Sequence, residues 1–314
     1  LTSKPYVFEA RPWELKKTET IDVMDAVGSN IRVDTYGWEV KRVLPRINEE
    51  INEEWISDKT RYACDGLKNQ RLDTPFIKNN GNFEEISWQN VYKKILEKIS
   101  KSSPDKIVGL TGDMTNMETM FICKRLFEKT LNSKFLDSRS ENTYVNFENR
   151  CNYIFNSTIE GVEETDLLLL IGTNPRFEAT ILNSRIRKSY LKNKTKIFSL
   201  ENIGDLTYPY KVLENDIEVI NKIIKNEHEL SDKIISSKKP IIILGQSILN
   251  SSNGAYIFEE LKKYLTKINK INNNWNSLNI LSTDASAVGS YDLGIFSSND
   301  GSNKTLKKIE EGDV

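Results

Sequence analysis

The sequence predicts an α/β protein in which a small β-containing lobe precedes doubly wound parallel-sheet units. Short apolar runs, among them "DLLLLIG", "KIFSL", "PIIILG" and "LNILS", recur along the later two-thirds of the chain, and stretches with helical spacing separate them. Such alternation favours a parallel, Rossmann-like sheet with helices on both faces, because strands buried on each side read as continuous apolar runs. Residues 30–45 differ: Ile31 and Val33 alternate, Tyr36-Gly37 turns, Trp38 and Val40 alternate again and Pro45 ends the run, which is a hairpin signal.

Residues 1–20 carry Pro5 and Pro12 without helical or strand periodicity and read as an extended strap. Tyr6, Phe8 and Trp13 in a segment with no core of its own predict an interface anchor. The small lobe, 21–85, holds the hairpin and a short helix with Ser57 as N-cap, Asp58 in the first turn and Gly66 as C-terminal stop. The first α/β unit, 86–210, begins where Ser87 caps "WQNVYKKILEKIS"; Val91, Ile95 and Ile99 place one apolar face on that helix. "KIVGL" comes next as a strand, then a helix through Met117, Met120, Phe121 and Leu131. The unit repeats at "TDLLLLIGTNPRF" with helix "EATILNSRIRKSYL" and strand "KIFSL", so the runs at 107–110, 167–171 and 197–200 are expected side by side in one sheet. The charged segment 205–237 marks a helix and a boundary. The second unit, 211–314, holds the run "PIIILG", helix "GAYIFEELKKYL" and strand "LNILS".

Composition narrows the function classes. At 314 residues the chain accommodates roughly two domains. Its 44 Lys plus Arg offset 45 Asp plus Glu, which excludes a cationic nucleic-acid binder and favours a protein or small-molecule partner. The apolar runs fall far short of the roughly 20 residues that cross a bilayer, so a soluble chain is expected. Cys64, Cys123 and Cys151 are odd in number and dispersed; they imply neither a disulfide framework nor a clustered metal motif, and a reducing compartment fits. The start at Leu1, with no leader before "LTSKPYVF", reads as a cut within or between domains.

Few residues invite chemistry. "GLTGDMTN" offers Gly109 and Gly112, a weak dinucleotide fingerprint beside the plainer reading of a strand-to-helix turn. In "IGTNPRFE", Gly172, Asn174 and Pro175 shape a turn with Arg176 beside it; the arginine either faces a ligand or pairs with a neighbouring acid. His228, the only histidine, stands between Glu227 and Glu229 and reads as part of a solvated face. Cys123 reads as a small core residue, Cys64 and Cys151 lack any basic neighbour in a nucleophile pattern, and Glu49, Glu50, Glu53 and Glu54 read as surface or interface. No catalytic residue is assigned. In "TETIDVMDAVGSNIRV" the spacing D-x-x-D-x-x-x-S of Asp22, Asp25 and Ser29 has the shape of a metal-binding knuckle without its cysteines.

The strings "LTSKPYVFEARPWELKKTETIDVMDAVGSNIRV", "VLPRINEEINEEWISDKTRYACDGLKNQRL", "IEGVEETDLLLLIGTNPRFEATILNSRIRKSYL" and "DASAVGSYDLG" closely resemble the large iron–sulfur subunits of mitochondrial complex I, NADH:ubiquinone oxidoreductase, over residues 1 to about 294. That family is related to molybdopterin oxidoreductases such as formate dehydrogenase, and this chain resembles the part behind the cluster-bearing N-terminal region. The resemblance implies that Asp22, Asp25, Ser29 and Ser57 stand where four cysteines hold a [4Fe–4S] cluster in molybdopterin relatives, and that "GTNPR" descends from a loop that embraces the pterin's nucleotide arms. Hard oxygen ligands suit such a cluster poorly, so no cofactor is expected on this chain, with [2Fe–2S], [4Fe–4S] and FMN in neighbouring parts. It further implies a scaffold portion of the peripheral, matrix-side arm at the mitochondrial inner membrane, with other peripheral-arm subunits as partners, no nucleic acid and no membrane span. The alternatives are a fragment of an active molybdopterin- or nucleotide-dependent oxidoreductase, or a free-standing small-molecule binding module.

Overall fold

The computed structural model describes residues 4–214, 216–312 and 314. Its small lobe is a three-stranded antiparallel sheet in the order β1 (Lys16–Ile21), β2 (Asn30–Tyr36), β3 (Glu39–Pro45). The expected hairpin is β2–β3, closed at Gly37, whose φ of +58° is a left-handed conformation that a Cβ would disfavour. β1, but for Ile21, lies inside the segment expected to be a strap without strand character. All six of its residues are exposed, so no apolar alternation signals it; backbone pairing with β2, from Lys16 opposite Thr35 to Ile21 opposite Asn30, makes it a strand. Residues 1–3 of the strap lie outside the described residues. Tyr6 and Glu9 of the strap reach β3: the Tyr6 ring sits beneath the Arg42 guanidinium, 4.6 Å from ring centroid, and Glu9 pairs with Lys41.

Helix α1 (Asp58–Tyr62) is N-capped by Ser57, whose hydroxyl accepts from the Thr60 amide. It runs on as a 3₁₀ turn, Ala63–Leu67, so Gly66 lies within that turn and does not stop the helix. β4 (Phe76–Asn79) and β5 (Asn82–Glu85) form a second hairpin through Asn80-Gly81, both with positive φ, the turn chemistry that an Asn-Gly pair provides. Then come α2 (Trp88–Lys101), β6 (Val108–Leu110), α3 (Met117–Arg125) with a π-helical continuation at Leu126–Leu131, and β7 (Phe135–Asp137).

β8 (Leu167–Ile171), α4 (Pro175–Glu178), α5 (Thr180–Asn193), β9 (Lys196–Ser199), β10 (Lys211–Val212), α6 (Ile217–Ile224), α7 (Glu229–Ser236), β11 (Pro240–Gly245), α8 (Gln246–Leu249), α9 (Gly254–Lys267) and β12 (Leu278–Leu281) build the main body. Helices α10 (Ala287–Asp292) and α11 (Lys304–Glu310) complete the chain. Five strands form one parallel sheet ordered β10-β9-β8-β11-β12. It is doubly wound. Leu167, Leu169 and Ile171 of β8 point into one core with α6, α7 and α9, whereas Leu168 and Leu170 point into the other with Ile181, Leu182 and Ile186 of α5. Period-two alternation of side chains thus divides one apolar run between two cores.

One strand placement is corrected. The runs at 167–171 and 197–200 do lie side by side through β8 and β9, but 107–110 does not join them: β6 pairs only with β7, in a separate two-stranded parallel sheet. An apolar run marks a strand, not the partner it pairs with. Gly109 of β6 explains its own glycine, since a Cβ there would come within 2.5 Å of the Phe127 ring.

Two buried arginines tie distant segments together. Arg139 chelates Asp137 through Nε and Nη2 and donates from Nη1 to the carbonyl oxygens of Thr143 and Gly301, pinning the 297–303 loop against β7. Arg185 of α5 meets Glu163 and the carbonyl oxygens of Glu49 and Ile51, while Lys188 pairs with Glu53, so the small lobe is held to the main body. Glu53 is therefore an interface residue.

The Arg139 guanidinium and flanking hydrogen bonds outweigh burial and hold the Asp137 carboxyl below its ordinary 3.8. A lowered acid contributes stability above that value and loses it as pH falls through the folded pKa. Arg139→Met leaves a buried unpaired carboxylate and should cost about 3–5 kcal/mol at pH 7 in urea denaturation, with the difference from the parent shrinking as pH falls and the unpaired carboxylate takes up a proton. A pH-independent loss would show that the ion pair is not its source.

Candidate functional site

β1 ends at Ile21, and the chain turns back on itself as the Asp22 amide donates to the Ser29 carbonyl, 2.8 Å. Asp22 Oδ1 accepts from the Met24 amide and Asp25 Oδ1 from the Val27 amide, each 3.1 Å, so two aspartate turns shape the loop. Gly28, at φ +76°, supplies the left-handed residue that returns the chain to β2. The Thr60 hydroxyl donates to Asp22 Oδ2 at 2.7 Å and lies 2.7 Å from the Ser57 hydroxyl. Asp22, Asp25, Ser29 and Ser57 are all buried. The structure thus brings the four positions singled out in the sequence to one place.

Two participants have no signal in the sequence pattern, Thr60 and Lys59. Thr60 sits at the third position of the helix that Ser57 caps, where its amide was certain to face the cap hydroxyl; that its side chain would reach Asp22, 38 positions earlier, had no local signal. Lys59 Nζ approaches Asp25 Oδ2 at 3.5 Å, and that oxygen has no hydrogen-bond partner. Burial pushes the Asp25 carboxyl up from its ordinary value; the Val27 amide and Lys59 oppose this and the Asp22 charge adds to it. A cleft of about 330 Å³ borders the loop, lined by Asp22, Asp25, Gly28, Met114, Asn116 and Met117 among others.

The second candidate place is the carboxyl end of the main sheet, where strand order reverses between β8 and β11 and nucleotides usually bind. Here the chain fills it. A Cβ at Gly245 would stand 2.1 Å from the Gly172 carbonyl oxygen, one at Gly172 would stand 2.6 Å from Ile248, and Ser247 Oγ donates to the Gly172 carbonyl at 2.7 Å. The two glycines serve close approach of β8, β11 and α8, not a phosphate. Asn174 caps α4, and Arg176 donates to the carbonyl and carboxylate oxygens of Asp205 at 2.6 and 2.8 Å. Of its two sequence readings, the pairing one holds.

Gly112 belongs to the turn before α3. His228 is corrected: it is half-buried, and its Nδ1 accepts from the Leu230 amide as N-cap of α7. Cys123 packs at the edge of the small core of Met120, Leu136 and Ile295. Burial raises the Cys64 thiol, which makes it a poor nucleophile.

Two family profiles match the chain. "Molybdopterin oxidoreductase" matches residues 71–313, and "NADH-ubiquinone oxidoreductase NDSU1/NuoG-like, 4Fe-4S domain" matches residues 15–65. The chain is 44% identical to the NADH-ubiquinone oxidoreductase 75 kDa subunit of Reclinomonas americana, over 99% of this chain and 47% of that protein. It is 44% identical to the mitochondrial 78 kDa subunit of Candida albicans, over 94% and 41%, and 42% identical to an NADH-quinone oxidoreductase subunit of Rickettsia conorii, over 94% and 44%. The chain therefore spans less than half the length of these relatives. Acetylene hydratase from Pelobacter acetylenicus aligns in three dimensions with a TM-score of 0.47 at 15% identity, over 90% of this chain and 44% of that one.

The second profile corrects the expectation that this chain binds no cofactor: a 4Fe–4S domain match within residues 15–65 points to an iron–sulfur cluster on this chain. The side chains at the four knuckle positions do not themselves fit one. They present carboxylate and hydroxyl oxygens where such a cluster takes thiolates. Cys64 is the only cysteine in the matched range. Among the described residues, no group of three or more His, Cys, Asp or Glu side chains is placed to hold a metal ion. No electron-transfer step is assigned to Asp22, Asp25, Ser29 or Ser57.

A raised acid binds its proton more tightly in the folded state, so Asp25 favours folding at low pH and opposes it as pH rises through the folded pKa. Asp25→Asn keeps an oxygen for the Val27 amide and removes the buried charge. Thermal melting should show the variant at least as stable as the parent at pH 8 and relatively less so at pH 4. A large destabilisation at pH 8 would mean that the Lys59 pair outweighs the cost of burial.

Proposed function

The chain belongs to the molybdopterin oxidoreductase family, and on that premise we propose that it is a scaffold portion of the large iron–sulfur subunit in the peripheral, matrix-side arm of respiratory complex I. There it supports electron transfer from NADH to ubiquinone by holding neighbouring parts in place. The observation that carries this reading is 41–44% identity over 94–99% of the chain to subunits of NADH-ubiquinone and NADH-quinone oxidoreductases. The filled crevice between β8 and β11 favours it over a fragment of an active nucleotide-dependent oxidoreductase, because close backbone packing replaces the space a phosphate would need.

The strap and the β2–β3 turn are the docking elements of this reading. Phe8 and Trp38 are fully exposed, Trp13 is largely so and Tyr36 is about half exposed. The β1–β2 register sets Lys16, at the start of β1, opposite Thr35 beside that turn. Exposed aromatic groups of this size anchor protein interfaces. The partner is the cluster-bearing N-terminal region or chain. Among the described residues no helix is long and apolar enough to cross a membrane.

Native electrophoresis of mitochondria should show this chain migrating with NADH dehydrogenase activity, and protease should reach it only after the inner membrane is opened. Phe8→Ala with Trp38→Ala should reduce its incorporation tenfold or more, as loss of two anchors worth about 1–2 kcal/mol each implies. Migration apart from that activity would sink the reading.

A further inference from the structure

We propose that Ser103, in the loop between α2 and β6, is a phosphorylation site that accepts phosphate from ATP through a proline-directed protein kinase. Two of the chain's eight prolines follow a hydroxyl residue, Pro75 after Thr74 and Pro104 after Ser103. A kinase cleft can select for proline after the acceptor because proline brings no N–H that would need a partner there, and a basic residue three positions on adds charge recognition. The run "SSPDK" supplies that base as Lys106, whereas the third residue after Thr74 is Ile77.

The structure separates the two dipeptides. Every residue from 101 to 106 is exposed. Ser103 has φ −75° and ψ 150°, the extended conformation that a following proline enforces and that an acceptor adopts in a kinase cleft. Beyond it stands a single 3₁₀ turn, Pro104–Lys106, closed by the Lys106 amide donating to the Ser103 carbonyl at 2.9 Å and the Ile107 amide to the Pro104 carbonyl at 3.3 Å. Two backbone bonds in an exposed loop open at small cost, which frees Lys106 to extend along the cleft. Thr74 is half-buried, and the Pro75 carbonyl accepts from the Ile86 amide at 3.0 Å just before β4 pairs with β5. Presenting Thr74 therefore requires the hairpin to come apart.

The neighbouring Ser102 is held to the helix end, where its hydroxyl donates to the Lys98 carbonyl at 2.9 Å. The Ser103 hydroxyl instead bonds the exposed Asp105 carboxylate and holds that acid below its ordinary 3.8. In the transfer, the Ser103 hydroxyl oxygen attacks the γ-phosphorus of ATP. The new O–P bond forms as the bond from that phosphorus to the β–γ bridging oxygen breaks, ADP leaves, and the hydroxyl proton passes to the kinase's catalytic aspartate. The product carries about −1.5 to −2 charges at pH 7. It replaces the Ser103–Asp105 hydrogen bond with like-charge repulsion, while Lys101 and Lys106 are the cations nearest in sequence. The modification thus loosens the one turn that joins α2 to β6. None of this depends on the complex I reading.

The full chain, incubated with a proline-directed kinase and ATP labelled at the γ-phosphate, should take up one phosphoryl group, mapped by tandem mass spectrometry to Ser103. Ser103→Ala should abolish the label, Pro104→Ala and Lys106→Ala should each slow its uptake about tenfold, and Thr74→Ala should leave it unchanged. Ser103, Pro104 and Lys106 are exposed, and unaltered far-ultraviolet circular dichroism of each variant separates lost recognition from lost fold. Label at Thr74 or Ser102 in place of Ser103, a rate that Pro104→Ala leaves intact, or no label above that of Ser103→Ala would overturn the proposal.

Discussion

The structure rests on two strands that cannot be exposed on either side. Every residue of β8 and β11 is buried, and each side chain of Leu or Ile so placed is worth about 1.5–3 kcal/mol. Both faces must therefore be covered, by α5 on one and by α6, α7 and α9 on the other. Because the crossovers between parallel strands are helix-length, satisfying that burial also fixes the strand order. The tight meeting of Gly172, Gly245 and α8 arises at the carboxyl end of the same two strands, and it closes the crevice where this kind of sheet usually admits a nucleotide.

The small lobe has almost no apolar core and is held by polar means. Asp34 is fully buried between Arg32 and Arg42, which keep its carboxyl below the ordinary range; Arg185 and Lys188 reach from α5 to the backbone and side chains of 49–53. Such bonds are directional, so the lobe's orientation is set more sharply than apolar contact would set it. The knuckle shows the same economy: Asp22, Thr60 and Ser57 form a buried hydrogen-bonded chain, and Asp25 alone keeps an oxygen without a hydrogen bond, facing Lys59. Turn and cap chemistry suffices to shape this loop with carboxylate, hydroxyl and backbone groups alone.

Within the region from 72 to 131, local structure and burial part company. Helices α2 and α3 form where their apolar spacing places them and the β4–β5 hairpin closes on its Asn-Gly turn, yet much of their apolar surface faces outward. Local propensity forms an element; only a neighbour gives it a core.

The sequence by itself determined what is local. Apolar runs and helical spacing located β8, β9, β11, β12, α5 and α9; Tyr36-Gly37 located a hairpin; and Ser57 located a cap. The spacing of Asp22, Asp25 and Ser29 marked the knuckle before any coordinates did. Tertiary structure decided the rest, for a physical reason common to each case. β1 is a strand through backbone pairing that its exposed side chains do not encode. Whether β6 joins the main sheet depends on partners far along the chain, and its apolar pattern suits either outcome. Arg176 finds Asp205, Thr60 finds Asp22, and His228 becomes a cap, because hydrogen-bond partners are chosen by proximity in space. Periodicity records which side chains share a face, but not what covers that face.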